Sequence, residues 1–130
     1  HCIHTAIRTS PNQAGPRIEA KDLGRFFDGS LMSPYMTYAY TAKAETTDRA
    51  PAIVHVDGTS RVQTVTPDQH PFLHAVLSGL EERGEAPLLA NTSMNVAGQP
   101  MVDTPADARR FLAETPVDVL YLGDQRLVRP

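Results

Sequence analysis

Asp57-Gly58 stands between Ile53-Val54-His55-Val56 and Arg61-Val62-Gln63-Thr64-Val65, two β-branched runs flanking a residue pair favoured in tight turns. The pattern predicts a β-hairpin over Pro51 to Val65 and excludes an all-helical fold. Thr66-Pro67-Asp68-Gln69 follows at once with the N-cap, first-position proline and third-position glutamine of a helix start. Leu73, Val76, Leu77 and Leu80 then form one buried stripe up to Gly84. Thr104-Pro105-Ala106-Asp107 repeats the start signal, with Ala108, Phe111 and Leu112 as the stripe of a second helix. Between the helices, Leu88-Leu89-Ala90 predicts a buried strand, and Val117 to Leu122 with Leu127-Val128 predict closing strands around Gly123-Asp124. Strands interleaved with two capped helices predict an α/β or α+β fold, a sheet with helices packed on it.

The remaining segments are quieter. Cys2 to Ile7 reads as a short apolar start, and Pro11, Gly15 and Pro16 as an irregular loop. Ile18, Leu23, Phe26 and Phe27 fit one face of a helix stopped by Asp28-Gly29. Ser33-Pro34 opens a predicted strand from Tyr35 to Tyr40, and residues 42–50, which lack periodicity, are expected to be a mobile loop.

A chain of 130 residues is one domain's worth. Its formal charge of −3 argues against a nucleic-acid footprint or a polybasic membrane patch. No apolar run approaches the ~18 residues of a membrane span, so a soluble protein is expected. The single Cys2 excludes an intramolecular disulfide framework and a cysteine-rich zinc module, and points to a reducing, cytoplasmic compartment. The chain opens at His1 without an initiator Met or a secretory pattern, which is read as a cloning boundary or a processed end.

His70 and His74 have the four-residue spacing at which two imidazoles can share a metal. No Glu lies between them in the zincin manner, and His74 borders the apolar stripe, so no metal is expected. Cys2 lacks fixed neighbours that would lower its pKa. Two polar clusters stand out. Strand alternation places His55, Asp57, Thr59, Arg61 and Gln63 in one register, either a ligand face or the solvent face of a hairpin. The stretch Asn91-Thr92-Ser93-Met94-Asn95 follows a predicted buried strand, where α/β folds collect ligands, or else is a turn satisfying its own backbone.

Ser33-Pro34-Tyr35-Met36, the run from Ala52 to Val65, and the run from Leu88 to Pro100 resemble successive motifs of the C-terminal domain of the carbamoyltransferase family, the nodulation and antibiotic O-carbamoyltransferases. Thr104-Pro105-Ala106-Asp107-Ala108 and Leu122-Gly123-Asp124 continue the resemblance in order, so it covers roughly residues 16–126 of a single domain spanning 1–130. It implies a YrdC-like twisted sheet with helices packed on it, in a truncated version. It further implies that carbamoyl phosphate and ATP are candidate substrates for forming carbamoyl adenylate. A separate N-terminal domain, similar to the Kae1 type, would then pass the carbamoyl group to a hydroxyl. The family's arginine in its HVDGTxRVQ motif and the serine and asparagine of its NTSxN motif carry over to Arg61, Ser93 and Asn95. A guanidinium gives a phosphate two parallel charged hydrogen bonds, while Ser and Asn can orient a carbamoyl group.

The departures concern charge. A family motif rich in Lys and Arg falls on Ala6 to Pro16, where Arg8 and Pro16 match but Ala6 and Asn12 replace cations. Met94, Ala97 and Gln99 replace the usual Phe, Arg and Glu. We expect a diverged relative that binds a carbamoyl- or phosphate-bearing small molecule, with Arg61 and His55 as catalytic candidates. Arg8, Asp57, Thr59, Gln63, Asn91, Ser93 and Asn95 are the substrate-binding candidates. His55 is the side-chain type suited to general acid or base work near neutrality. No cofactor is certain. Carbamoyl adenylate formation by this chain alone is expected to be inefficient, because three family cations are replaced. The alternatives are an accessory subunit completing a partner transferase, and a fragment of a longer O-carbamoyltransferase. The chain is expected to form a homo-oligomer or to bind a partner transferase subunit.

Overall fold

In the computed structural model, residues 15–96 and 98–129 are described. The apolar start at Cys2 to Ile7 and the candidate Arg8 lie outside them. Two compact units are present. One spans Ala14–Asn91, and the described residues of the other are 92–96 and 98–129.

The first unit begins with β1 (Gly15–Glu19), where a loop and then a helix were expected. Ile18, Leu23, Phe26 and Phe27 do bury a common face, but by different means. Ile18 comes from the strand, Leu23 and Phe26 from the short helix α1 (Leu23–Phe26) behind a 3-10 turn at Ala20–Asp22, and Phe27 from β2 (Phe27–Asp28). Four apolar residues at helix-like spacing cannot distinguish a strand running into a helical turn from one longer helix. The next strand, β3 (Ala39–Ala42), starts later than expected, because Pro34 to Met36 turn sharply and Met36 takes a left-handed φ of 57°. The segment expected as a mobile loop contains α2 (Ala44–Arg49), anchored by the buried Thr46, whose hydroxyl donates to the Phe26 carbonyl.

The Asp57-Gly58 turn forms: Gly58 adopts φ 78° and its N–H donates to the His55 carbonyl at 2.9 Å. The hairpin around it does not. Pro51–Ile53 is a 3-10 turn, with Pro51 at the position where its missing N–H costs nothing. β4 (Thr59–Arg61) pairs antiparallel with β3, whereas β5 (Gln63–Val65) pairs parallel with β1. The chain crosses between sheets at the fully buried Val62. Ser60, Val62 and Thr64 point inward throughout, so the expected alternation of Thr59, Arg61 and Gln63 to the other side survives the change of partner.

Two three-stranded sheets result, ordered β5-β1-β6 and β2-β3-β4, with β6 being Leu88–Asn91 antiparallel to β1. Ile18, Leu23, Phe26, Phe27, Tyr40, Ile53 and Val62 form the core, with Leu88 and Ala90 packed on it. The helix α3 (Pro71–Glu82) starts at Pro71 rather than Pro67, because Pro67, Asp68 and Gln69 form a turn. Leu73 and Leu77 are its buried residues.

In the second unit, the expected capping box is present: the Asp107 N–H donates to Thr104 Oγ1 at 3.2 Å, and the Thr104 N–H to Asp107 Oδ2 at 3.1 Å. It starts α4 (Pro105–Glu114), which buries Ala108 and Leu112 against Val117 and Leu120. β7 (Val119–Leu122) and β8 (Gln125–Val128) close a hairpin over Gly123, at φ 58°. The fold class is α+β, with small sheets and four helices among the described residues. No helix among those residues is long and apolar enough to cross a membrane.

Candidate functional site

Strand β1 decides what the first unit can present. Pro16 and Ile18 are buried, so the intervening Arg17 projects to the opposite face of the sheet. The parallel register sets Arg17 beside Gln63, and the antiparallel register sets Gly15 beside Asn91. Arg17, Gln63 and Asn91, from three strands, therefore share one face.

They are bonded to one another. Arg17 Nε donates to Gln63 Oε1 at 2.7 Å, and Asn91 Nδ2 approaches the same oxygen at 3.4 Å. Gln63 Nε2 donates to the Pro34 carbonyl at 2.9 Å, which fixes the amide from its other end. Asn91 Nδ2 also contacts Met36 Sδ at 2.9 Å. The motif from Ser33 to Met36 thus acts as a clamp. Ser33 exchanges bonds with Thr64, its N–H donating to Thr64 Oγ1 at 2.9 Å and its carbonyl accepting the Thr64 N–H at 3.0 Å. That seats Pro34 over Gln63. A Cβ at Gly15 would lie 2.0 Å from the Arg61 carbonyl oxygen and 2.7 Å from Met36 Cε, so only glycine admits this approach of β1 to β4.

Arg61 is exposed on the outer side of β4, and among the described residues its guanidinium makes no hydrogen bond or ion pair that would occupy it. Asp57 accepts from the Thr59 hydroxyl at 2.7 Å and from the Thr59 N–H at 3.0 Å. Those two bonds, with a contribution from the charge of His55, hold its carboxyl below the usual range. Asp57 and Thr59 therefore satisfy each other and shape the turn. His55 is half-buried and its N–H donates to the Thr59 carbonyl at 2.8 Å.

Ser93 and Asn95 belong to the second unit. There Asn95 Nδ2 donates to the Gln99 carbonyl at 2.9 Å, ordering the turn that carries the rest of its motif. The cavity beside that turn has a volume of about 290 Å³ and is lined by Asn95, Gln99, Met101, Asp107, Arg110 and Phe111 among others. His74 pairs through Nε2 with Glu19 at 3.2 Å, and His70 is the N-cap residue of α3.

Arg17 is the residue that sequence reasoning missed. The segment was read as loop and helix, which hid the alternation of Arg17 and Glu19 against Ile18. The usable signal was its place directly after Pro16, the last matching residue of the basic motif.

Comparison with known proteins agrees with the ordered motifs. The pattern of the family described as "Carbamoyltransferase C-terminus" matches residues 7–129. The nodulation protein NolO of Bradyrhizobium diazoefficiens is 32% identical over 119 residues, covering 89% of this chain. The 3'-hydroxymethylcephem-O-carbamoyltransferase of Streptomyces clavuligerus is 32% identical over 118 residues, covering 91% of it. An uncharacterized protein of Synechocystis is 32% identical over 135 residues, covering 88%. The chain spans 22% of the length of each of these relatives. This chain belongs to the carbamoyltransferase C-terminal family.

Proposed function

We propose that the chain binds a carbamoyl- and phosphate-bearing small molecule and serves carbamoyl transfer in small-molecule biosynthesis. The observation that carries this reading is the Gln63 amide, held at both ends by Arg17, Asn91 and the Pro34 carbonyl within the motifs of the family. A fixed amide beside a guanidinium suits a carbamoyl phosphate, whose planar amide and doubly charged phosphate need both kinds of partner. The name of the Streptomyces relative adds an acceptor class, a hydroxymethyl group on a small molecule. Arg61, which pairs with no carboxylate among the described residues, contributes a cation. His55 is the candidate for proton transfer.

Calorimetric titration with carbamoyl phosphate, and separately with ATP, tests the reading. Carbamoyl phosphate is expected to bind saturably. Arg61→Ala is expected to weaken it by about 10-fold or more, the loss of one charge-assisted hydrogen bond. Absence of carbamoyl phosphate binding contradicts the ligand assignment, and unchanged affinity in Arg61→Ala contradicts the role of that arginine.

A further inference from the structure

Arg17 is the one arginine among the described residues that is not exposed. A guanidinium withdrawn from water is normally compensated by a carboxylate, and several of its exposed counterparts have one. Arg25 pairs with Glu45 and Glu81, Arg49 with Glu45, Arg110 with Asp107 and Arg129 with Asp118. Arg17 pairs with none of the described carboxylates. The acid nearest along its own face, Glu19, is engaged by Lys21, His74 and Ser78. Its bond to Gln63 uses Nε alone. Among the described residues nothing else bonds Nη1 and Nη2, which form a fork aimed by a neutral amide that positions the group without cancelling its charge.

We propose that Arg17 is a further ligand-holding residue, gripping two oxygens of a phosphoryl group through Nη1 and Nη2. The ligand class rests on the function proposed above, whereas the anion site rests on the geometry of Arg17. Burial pulls the Arg17 pKa below its ordinary value, the direction expected of a cation awaiting a counter-charge. Arg61 stands on β4 of the other sheet, and its carbonyl abuts Gly15, two residues before Arg17.

The test compares the full chain with Arg17→Met and Arg17→Lys by calorimetry against inorganic phosphate and carbamoyl phosphate, with thermal unfolding of each variant measured in parallel. Arg17→Met keeps an unbranched apolar stem to about the position of Nε and removes the guanidinium and its charge. It is expected to retain the melting temperature of the wild type, or exceed it, because a burial penalty disappears, and to bind both anions about 10-fold or more weakly. Arg17→Lys keeps the charge but loses the fork, and an intermediate affinity is expected. Wild-type affinity in a folded Arg17→Met overturns the proposal. If that variant does not fold, wild-type affinity in Arg17→Lys overturns it. Arg17-dependent binding of phosphate, with carbamoyl phosphate no tighter, refutes the ligand class and leaves the anion site standing. No binding of either anion by the wild-type chain refutes both.

Discussion

Glu19 and Asp22 lie three residues apart, both buried, and their surroundings drive them in opposite directions. Burial by itself raises the Glu19 pKa, but bonds from Ser78 and Lys21 and the charge of His74 outweigh it, and the carboxyl ends below its ordinary value. Asp22 has burial as its largest influence and the neighbouring charge of Glu81 in the same direction, so its carboxyl is raised; its Oδ2 has no hydrogen-bond partner. A depressed carboxyl stabilises the fold above its unfolded pKa, and that contribution is lost as pH falls through the folded value. A raised carboxyl does the reverse, weakening the fold as pH rises through its titration range. Melting temperatures from pH 3 to 8 are expected to show Glu19→Gln as less stable than wild type at neutral pH, by about 1–3 kcal/mol for a charged hydrogen bond. That deficit should shrink in acid. Asp22→Asn is expected to be more stable at neutral pH, with the gain vanishing in acid. Parallel curves for either variant and the wild type would contradict the assignment. Little of this was legible in the sequence, because Lys21 is local but Ser78 and His74 come from a helix more than fifty residues away.

Elements were legible where the instruction was local. The capping box at Thr104, the hairpin over Gly123 and the strand at Leu88 all stand where the sequence placed them, since each depends on residues within a few positions. The Asp57-Gly58 turn was also local and forms. Its flanking strands were misassigned because two short runs in line do not say which partner each takes. β5 finds a parallel partner in β1, 46 residues earlier (Arg17 beside Gln63). That same pairing brings Arg17 to Gln63, so the missed strand and the missed site residue share one cause. The element-level dependence falls on Gly15. A Cβ there cannot be accommodated by a side-chain movement, because the Arg61 carbonyl it meets belongs to the backbone of β4. Gly15→Ala is expected to lower stability by about 1–3 kcal/mol, as overpacking of a tight contact does, and to weaken anion binding along with it. Circular dichroism melts check the first effect, and wild-type stability would show that β1 does not hold this register.

On the scale of the whole molecule, the chain is an α+β member of the carbamoyltransferase C-terminal family that spans 22% of the length of its relatives. Leu31, Met32 and Tyr35 on one loop are 63%, 57% and 83% exposed, more apolar side chain than an isolated surface loop usually shows water. Self-association at micromolar concentration is therefore expected. Light scattering checks it, and a monomer that persists to that concentration counts against it. On the proposed reading, the face shared by Arg17, Gln63 and Asn91 holds the ligand. The most direct measurement is nuclear magnetic resonance of the isotope-labelled full chain during a carbamoyl phosphate titration. Arg17 Nε and the side-chain amides of Gln63 and Asn91 are expected to shift together along one saturation curve. Resonances at those three groups that stay fixed while the ligand binds elsewhere, or while nothing binds, would contradict the account.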